Sequence, residues 1–115
     1  VTIHRPSELQ CQRTIVQAAR IHGWLVHAER AAPTRSGGYA TPIQGDAGWP
    51  DLVLARDGVC LIVELKRKPN KATLAQTIWL DELGRCDGIT TMVVHVPEQM
   101  DAFIATLARP ARRTA

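Results

Sequence analysis

Cysteine is scarce and patternless in this chain. Cys11, Cys60 and Cys86 are odd in number, widely spaced and without a C-x-x-C pair. That argues against a disulfide framework or a zinc knuckle and fits a reducing compartment. Long apolar runs are missing too, and none approaches the length that spans a bilayer. No charged-then-apolar leader opens the sequence, so the expectation is a cytoplasmic protein with no membrane partner. An excess of one charge is nearly absent: 14 basic against 11 acidic residues give a net +3. That balance permits a polyanionic partner without requiring one. There is no internal repeat, no interdomain linker, no ligand spacing among His4, His22, His27 and His95, and no base-reading module.

What is present is enough for one domain. The chain has 115 residues, 45% of them hydrophobic, which allows a modest buried core. We read residues 1–115 as a single domain, with 1–6 and 110–115 as frayed ends and Arg112 and Arg113 exposed.

Pro6-Ser7-Glu8-Leu9-Gln10 has the form of a helix start, with Ser7 as cap and Gln10 completing a capping box. The helix should run to about His22, before Gly23, with Leu9, Cys11, Ile15, Val16, Ala18 and Ala19 on its apolar face. Trp24 to Arg30 reads as a strand. Residues 31–49 are rich in glycine and proline and read as a long loop, a feature that in small domains is usually functional or mobile. Asp51–Arg56 and Val59–Lys66 read as strands joined by an Asp57-Gly58 hairpin turn. A second helix opens at Thr73-Leu-Ala-Gln76 and ends near Gly84 or Cys86. Thr90–Val96 is a further strand, and Pro97 fits the first turn of a last helix reaching about Arg109. The order is αβββαβα. The two hairpin strands are apolar on both alternating sets: Val53, Ala55, Cys60 and Ile62 against Leu52, Leu54, Leu61 and Val63. Such a sheet needs cover on both faces, so the expected fold class is three-layer α/β/α with a central mixed sheet.

The turn at Asp57-Gly58 sets a register. If Arg56 faces Val59, then 54 faces 61, 52 faces 63 and Asp51 faces Glu64. Opposite residues share a face, with Cβ atoms roughly 4.5–5.5 Å apart, and Lys66 lies on the same face as Glu64. Two carboxylates side by side repel each other unless a cation lies between them or one is protonated. Hard oxygen donors suit Mg²⁺ or Mn²⁺, and a neighbouring lysine can orient water or offset phosphate charge as the ammonium, or deprotonate water as the neutral amine. The plainer reading is that Asp51 starts a strand and Glu64-Leu65-Lys66 is a solvated strand end, because a D…ExK pattern is common. Against it stand the shared face, the charged close of an otherwise apolar strand, and the delivery of Asp51 by Gly48-Trp49-Pro50 out of a long loop.

Pro50-Asp51 followed by Glu64-Leu65-Lys66 resembles the PD-(D/E)xK nuclease superfamily. More closely, the chain resembles its VRR-NUC group, in the short stand-alone form of phages and bacteria. The likeness takes in Glu8, Gly23-Trp24, Gly48-Trp49-Pro50-Asp51-Leu52, Gln76 and Trp79, and covers most of residues 7–96. The resemblance implies a restriction-endonuclease-like core and metal-assisted hydrolysis of DNA phosphodiesters, leaving 5′-phosphate and 3′-hydroxyl ends. It implies Asp51, Glu64 and the backbone carbonyl of Leu65 as ligands of Mg²⁺, with Mn²⁺ able to substitute. Lys66 would be the catalytic lysine, Glu8 an auxiliary ligand or outer carboxylate, and Gln76 a lining residue. Similarity to dimeric Holliday-junction resolvases implies a homodimer acting on branched DNA in a bacterial or phage-infected cell. Two other functions stay open: a restriction- or repair-type nuclease on linear DNA, and a non-catalytic nucleic-acid-binding module of the same fold.

Several residues have a second explanation. Glu8 at the first helical position is favoured by the helix dipole without any site role. Gln76 is accounted for by a Thr73-x-x-Gln76 capping box, although it also heads the stripe Gln76, Trp79, Leu80, Leu83. Arg67, Lys68 and Lys71 are either a solvated turn or the rim where a phosphate backbone approaches. Arg30, Arg35 and Tyr39 could touch nucleic acid from the loop region. Trp24, Trp49 and Trp79 are more often core residues than base platforms, with Trp49 set apart by its place beside Asp51. His27 is either a satisfied core histidine or an outer neighbour of the site.

Overall fold

A computed structural model of the chain describes residues 5–29, 32–33, 39–40 and 44–110. The elements are α1 (Glu8–Ile21), β1 (Leu25–Ala28), β2 (Ala32–Pro33), β3 (Tyr39–Ala40), β4 (Leu52–Arg56), β5 (Val59–Lys66), α2 (Leu74–Gly84), β6 (Ile89–His95) and α3 (Met100–Leu107). The main sheet has the order β1-β4-β5-β6. Its first three strands pair antiparallel and β6 joins β5 in parallel, so the sheet is mixed. The three-layer α/β/α expectation holds, and the expected element order holds for the helices and the main sheet, with β2 and β3 as additions.

Two reciprocal capping boxes start the first two helices. Ser7 Oγ accepts from the Gln10 N–H and Gln10 returns the bond to the Ser7 N–H; Thr73 and Gln76 do the same at α2. Each satisfies two backbone donors that the helix itself leaves unpaired. The hairpin turn has positive φ at both Asp57 (51°) and Gly58 (80°), the combination whose twist matches the flanking strands. It fixes Arg56 opposite Val59, Leu54 opposite Leu61 and Leu52 opposite Val63.

Alternation then sorts the sheet. Leu52, Leu54, Val63, Leu65, Val94 and Val96 bury against Cys11, Ile15 and Ala19 of α1 and Phe103 and Leu107 of α3. The opposite face carries Ile62, Glu64 and Lys66, and α2 packs there against β6. Arg56 ties the layers at the far end: it donates to the carbonyls of His22, Leu107 and Arg109 and stacks on Trp24, 4.3 Å from the ring centroid. A guanidinium thereby serves the carbonyl ends of two helices at once.

The structure departs from the sequence expectations at several points. The buried stripe of α1 is Cys11, Gln12, Ile15 and Ala19, while Leu9, Val16 and Ala18 are only half-buried. The helix meets the core along Cys11, Ile15 and Ala19, and Gln12 is buried with them. The segment read as a continuous loop contains β2 and β3, paired through Ala32–Ala40 and Pro33–Tyr39; strands of two residues are too short to leave a periodic signal. The last helix starts at Met100 rather than Pro97, because the Met100 N–H closes a turn onto Pro97 O and the Gln99 side chain accepts from the His95 N–H. His27 is exposed and pairs with Glu29 at 3.0 Å. It is not a core histidine, since α2 lies over β6 and leaves the β1 end of that face open. Arg30, Arg35, Arg112 and Arg113 lie outside the described residues, as does the side chain of Tyr39.

Candidate active site

Pro50 is fully buried and Asp51 follows it at the mouth of β4. The Glu29 N–H donates to the Asp51 carbonyl at 3.0 Å, holding the segment to the end of β1. Asp51 Oδ2 accepts from the Leu65 N–H at 2.8 Å, which fixes the carboxylate across the strand pair. The Leu65 side chain lies in the core, so residue 65 meets this site through its backbone.

Glu64 is the unusual group. Only 1% of its surface is exposed, and a buried carboxylate is costly unless fully partnered. Its Oε2 accepts from Gln76 Nε2 at 2.9 Å and faces Lys66 Nζ at 3.3 Å. Its Oε1 is buried with no hydrogen-bond partner. Burial first, and then the neighbouring Asp51 charge, push its pKa up from 4.5 to about 7, against the pull of Lys66. The charged pair expected from the hairpin register is therefore present, and the structure brings Asp51, Glu64, Lys66 and Gln76 together.

Gln76 combines its two candidate roles. Its Oε1 is committed to the Thr73 N–H at 2.9 Å, and that leaves Nε2 to point at Glu64. The capping box thus selects the amide orientation that the carboxylate needs. The first turn of α2 is set against the loop before Asp51 by Gly48. Its φ is +101°, and a Cβ there would lie 2.5 Å from the backbone carbon of Ala75. Trp79 reinforces the contact, since its Nε1 donates to the carbonyls of Asp46 (3.3 Å) and Ala47 (3.1 Å). That anchoring by backbone carbonyls was not foreseeable from residue type.

The other candidates differ in exposure. Glu8 is half-buried on the first turn of α1, and the described residues contain no cluster of three or more His, Cys, Asp or Glu side chains able to hold a metal. Arg67 is half-buried and its charge acts on Cys11 of α1, whereas Lys68 and Lys71 are exposed.

Two hard carboxylates, one with an orphaned buried oxygen, are a donor set that fits a small divalent ion. Mg²⁺ commonly takes one or two protein carboxylates and fills its other positions with water and substrate phosphate, so a third acidic side chain is not a requirement.

No protein-family model matches the chain, and no curated protein matches it in sequence. Among solved structures, one described as a VRR_NUC domain superposes with a TM-score of 0.61 at 24% identity, covering 85% of this chain and 94% of that one. The chain has the VRR_NUC fold. The superposition takes in nearly the whole of that chain. Among the described residues, no helix is long and apolar enough to cross a membrane.

Proposed function

We propose that this protein is a Mg²⁺-dependent endodeoxyribonuclease that hydrolyses phosphodiester bonds in branched DNA such as four-way junctions. The observation that carries the reading is the buried Glu64 carboxylate, with one oxygen unpartnered, beside Asp51 and Lys66. The VRR_NUC fold supports it.

Asp51 and Glu64 would hold the ion, with the Leu65 carbonyl as a third ligand and Glu8 in an auxiliary position; Mn²⁺ would substitute. When bound, such an ion supplies Lewis acidity to the phosphate and lowers the pKa of the attacking water. The protein does the positioning. The Leu65 N–H fixes the rotamer of Asp51, and Gln76 fixes that of Glu64. Lys66 would orient the water or offset charge on the phosphate as the ammonium, or take up the proton of the water as the neutral amine. Arg67, Lys68 and Lys71 would meet backbone phosphates without reading sequence, and we assign Arg30 and Arg35 to the same contact. A symmetric dimer would present two such sites to a two-fold junction.

The test is cleavage of a four-way junction and of its matched linear duplex, with and without Mg²⁺. Cutting of the junction alone, lost in Glu64→Ala and Lys66→Ala variants that still bind it, supports the proposal. Cutting of linear duplex alone would replace the substrate assignment. Binding without cutting in the presence of Mg²⁺ or, in its place, Mn²⁺ would remove the enzyme assignment altogether.

A further inference from the structure

Where the loop before Asp51 meets α2 lies a cavity of about 370 Å³, lined by Glu29, Gln44, Gly45, Asp46, Trp49 and Trp79. Its size is at the lower end of the range usual for small-molecule sites. Trp49 forms one wall and is 37% exposed. A large aromatic side chain left that open on a firmly held loop needs an explanation.

Loop anchoring explains Trp79, whose ring is half-buried and whose N–H is taken by two carbonyls. It does not explain Trp49. The two rings meet edge-on, with centroids 5.0 Å apart and planes at 83°, so the contact occupies at most one face of the Trp49 indole. The backbone on either side is fixed: Gly48 sits hard against Ala75, and Pro50 is buried. Trp49 is thus a preset and partly exposed aromatic platform.

The charges around it select what can stack there. Asp46 and Glu29 line the same cavity, and Glu29 is already engaged by His27 at 3.0 Å. Carboxylates repel phosphate but accept hydrogen bonds from exocyclic amino groups, which cytosine, adenine and guanine carry and thymine lacks. Flat bases stack on exposed indoles in single-strand sites. Trp49 and Asp51 are two residues apart, at most about 7 Å along the chain. A base on Trp49 therefore belongs to a nucleotide within about two phosphate steps of the carboxylate pair.

We propose that the Trp49 slot receives one unpaired, amino-bearing nucleobase (cytosine, adenine or guanine, not thymine) from a single-stranded stretch adjoining the bond to be cut. The assignment rests on the nuclease reading above and names the feature of the substrate that the site would sense: an unstacked base near the branch.

The experiment measures binding without cleavage. Dye-labelled homopolymers of about six nucleotides, within the footprint usual for single-strand sites, are titrated in EDTA, reading anisotropy and indole fluorescence. Wild-type protein should bind oligo(dC) and oligo(dA) several-fold tighter than oligo(dT), with quenching of indole emission. Trp49→Ala should weaken oligo(dC) binding by roughly 5- to 150-fold, and Trp49→Phe should restore most of it. Asp46→Ala should bring oligo(dC) down to the affinity of oligo(dT). If Trp49→Ala does not fold, the quenching signal, Trp49→Phe and Asp46→Ala decide. The slot assignment is overturned by unchanged indole emission, by a folded Trp49→Ala that binds oligo(dC) like wild type, or by equal wild-type affinity for oligo(dC) and oligo(dT). Failure of the nuclease reading looks different: quenching and base preference persist, but no DNA is cut with Mg²⁺.

Discussion

Replacing Glu64 by Gln should stabilise the metal-free protein at alkaline pH and leave it nearly unchanged in acid. The cause is the raised pKa of Glu64, about 7 in the folded chain against an ordinary 4.5, set first by burial and then by Asp51. A folded-state pKa above the unfolded one means that the native protein holds the proton more tightly. Stability from this group is complete below about pH 4.5 and is lost as pH rises through about 7. Each pH unit between the two values is worth about 1.4 kcal/mol, so ionising Glu64 in the native state costs about 3 kcal/mol. Gln is nearly isosteric, keeps an acceptor for Gln76 Nε2 and cannot ionise. Its melting temperature at about pH 8 should exceed that of wild type by roughly 10 °C, taking about 4 °C per kcal/mol for a domain of this size. Thermal unfolding in EDTA at about pH 5 and about pH 8 measures the difference. Adding Mg²⁺ at the higher pH should raise the wild type toward the variant and leave the variant unmoved. Parallel pH profiles for the two proteins would refute the account of Glu64 as a buried acid beside a second one.

Other outcomes follow from particular contacts. Gln76→Ala should cost about 1 kcal/mol for the lost cap and also slow cleavage, whereas Gln76→Glu can keep the Thr73 bond but sets a third acid on Glu64. Its cleavage rate should fall, and its thermal stability should drop more at about pH 8 than at about pH 5, because the variant loses the donor to Glu64 and adds a like charge. Gly48→Ala puts a Cβ into the Ala75 backbone at positive φ and should cost at least about 2 kcal/mol, measured by urea unfolding. Arg56→Lys loses the fork that reaches His22, Leu107 and Arg109. It should destabilise by about 1.5–3 kcal/mol with no effect on cleavage by the protein that remains folded.

Much of this could be read from residue order because the decisive interactions are local. The two capping boxes close within four residues. The Asp57-Gly58 turn allows one register, and that register alone brings residue 51 opposite residue 64. Glu64 was legible as a partner of Asp51 but not as a group almost wholly removed from water. Its burial depends on where α2 lands, and Leu74, Ala75 and Ile78 surround Gln76 with apolar residues on several sides of that helix. The same holds for α1, where Gln12 is buried while Val16 is not, because rotation about a helix axis is decided by the partner surface. His27 follows the alternation of a strand correctly, yet its exposure is set by the absence of a covering helix over β1. The contact of Trp79 with two loop carbonyls joins residues 32 and 33 positions apart and has no signature in residue type.

The central claim is that Asp51 and Glu64 together grip one divalent ion. Crystals grown with Mn²⁺ and measured for anomalous scattering test it directly. The account predicts one strong peak, about 2.1 Å from a carboxylate oxygen of each residue, and its loss in Glu64→Gln. A Mn²⁺-soaked crystal with no peak between the two acids, and Lys66 Nζ filling that space, would contradict it.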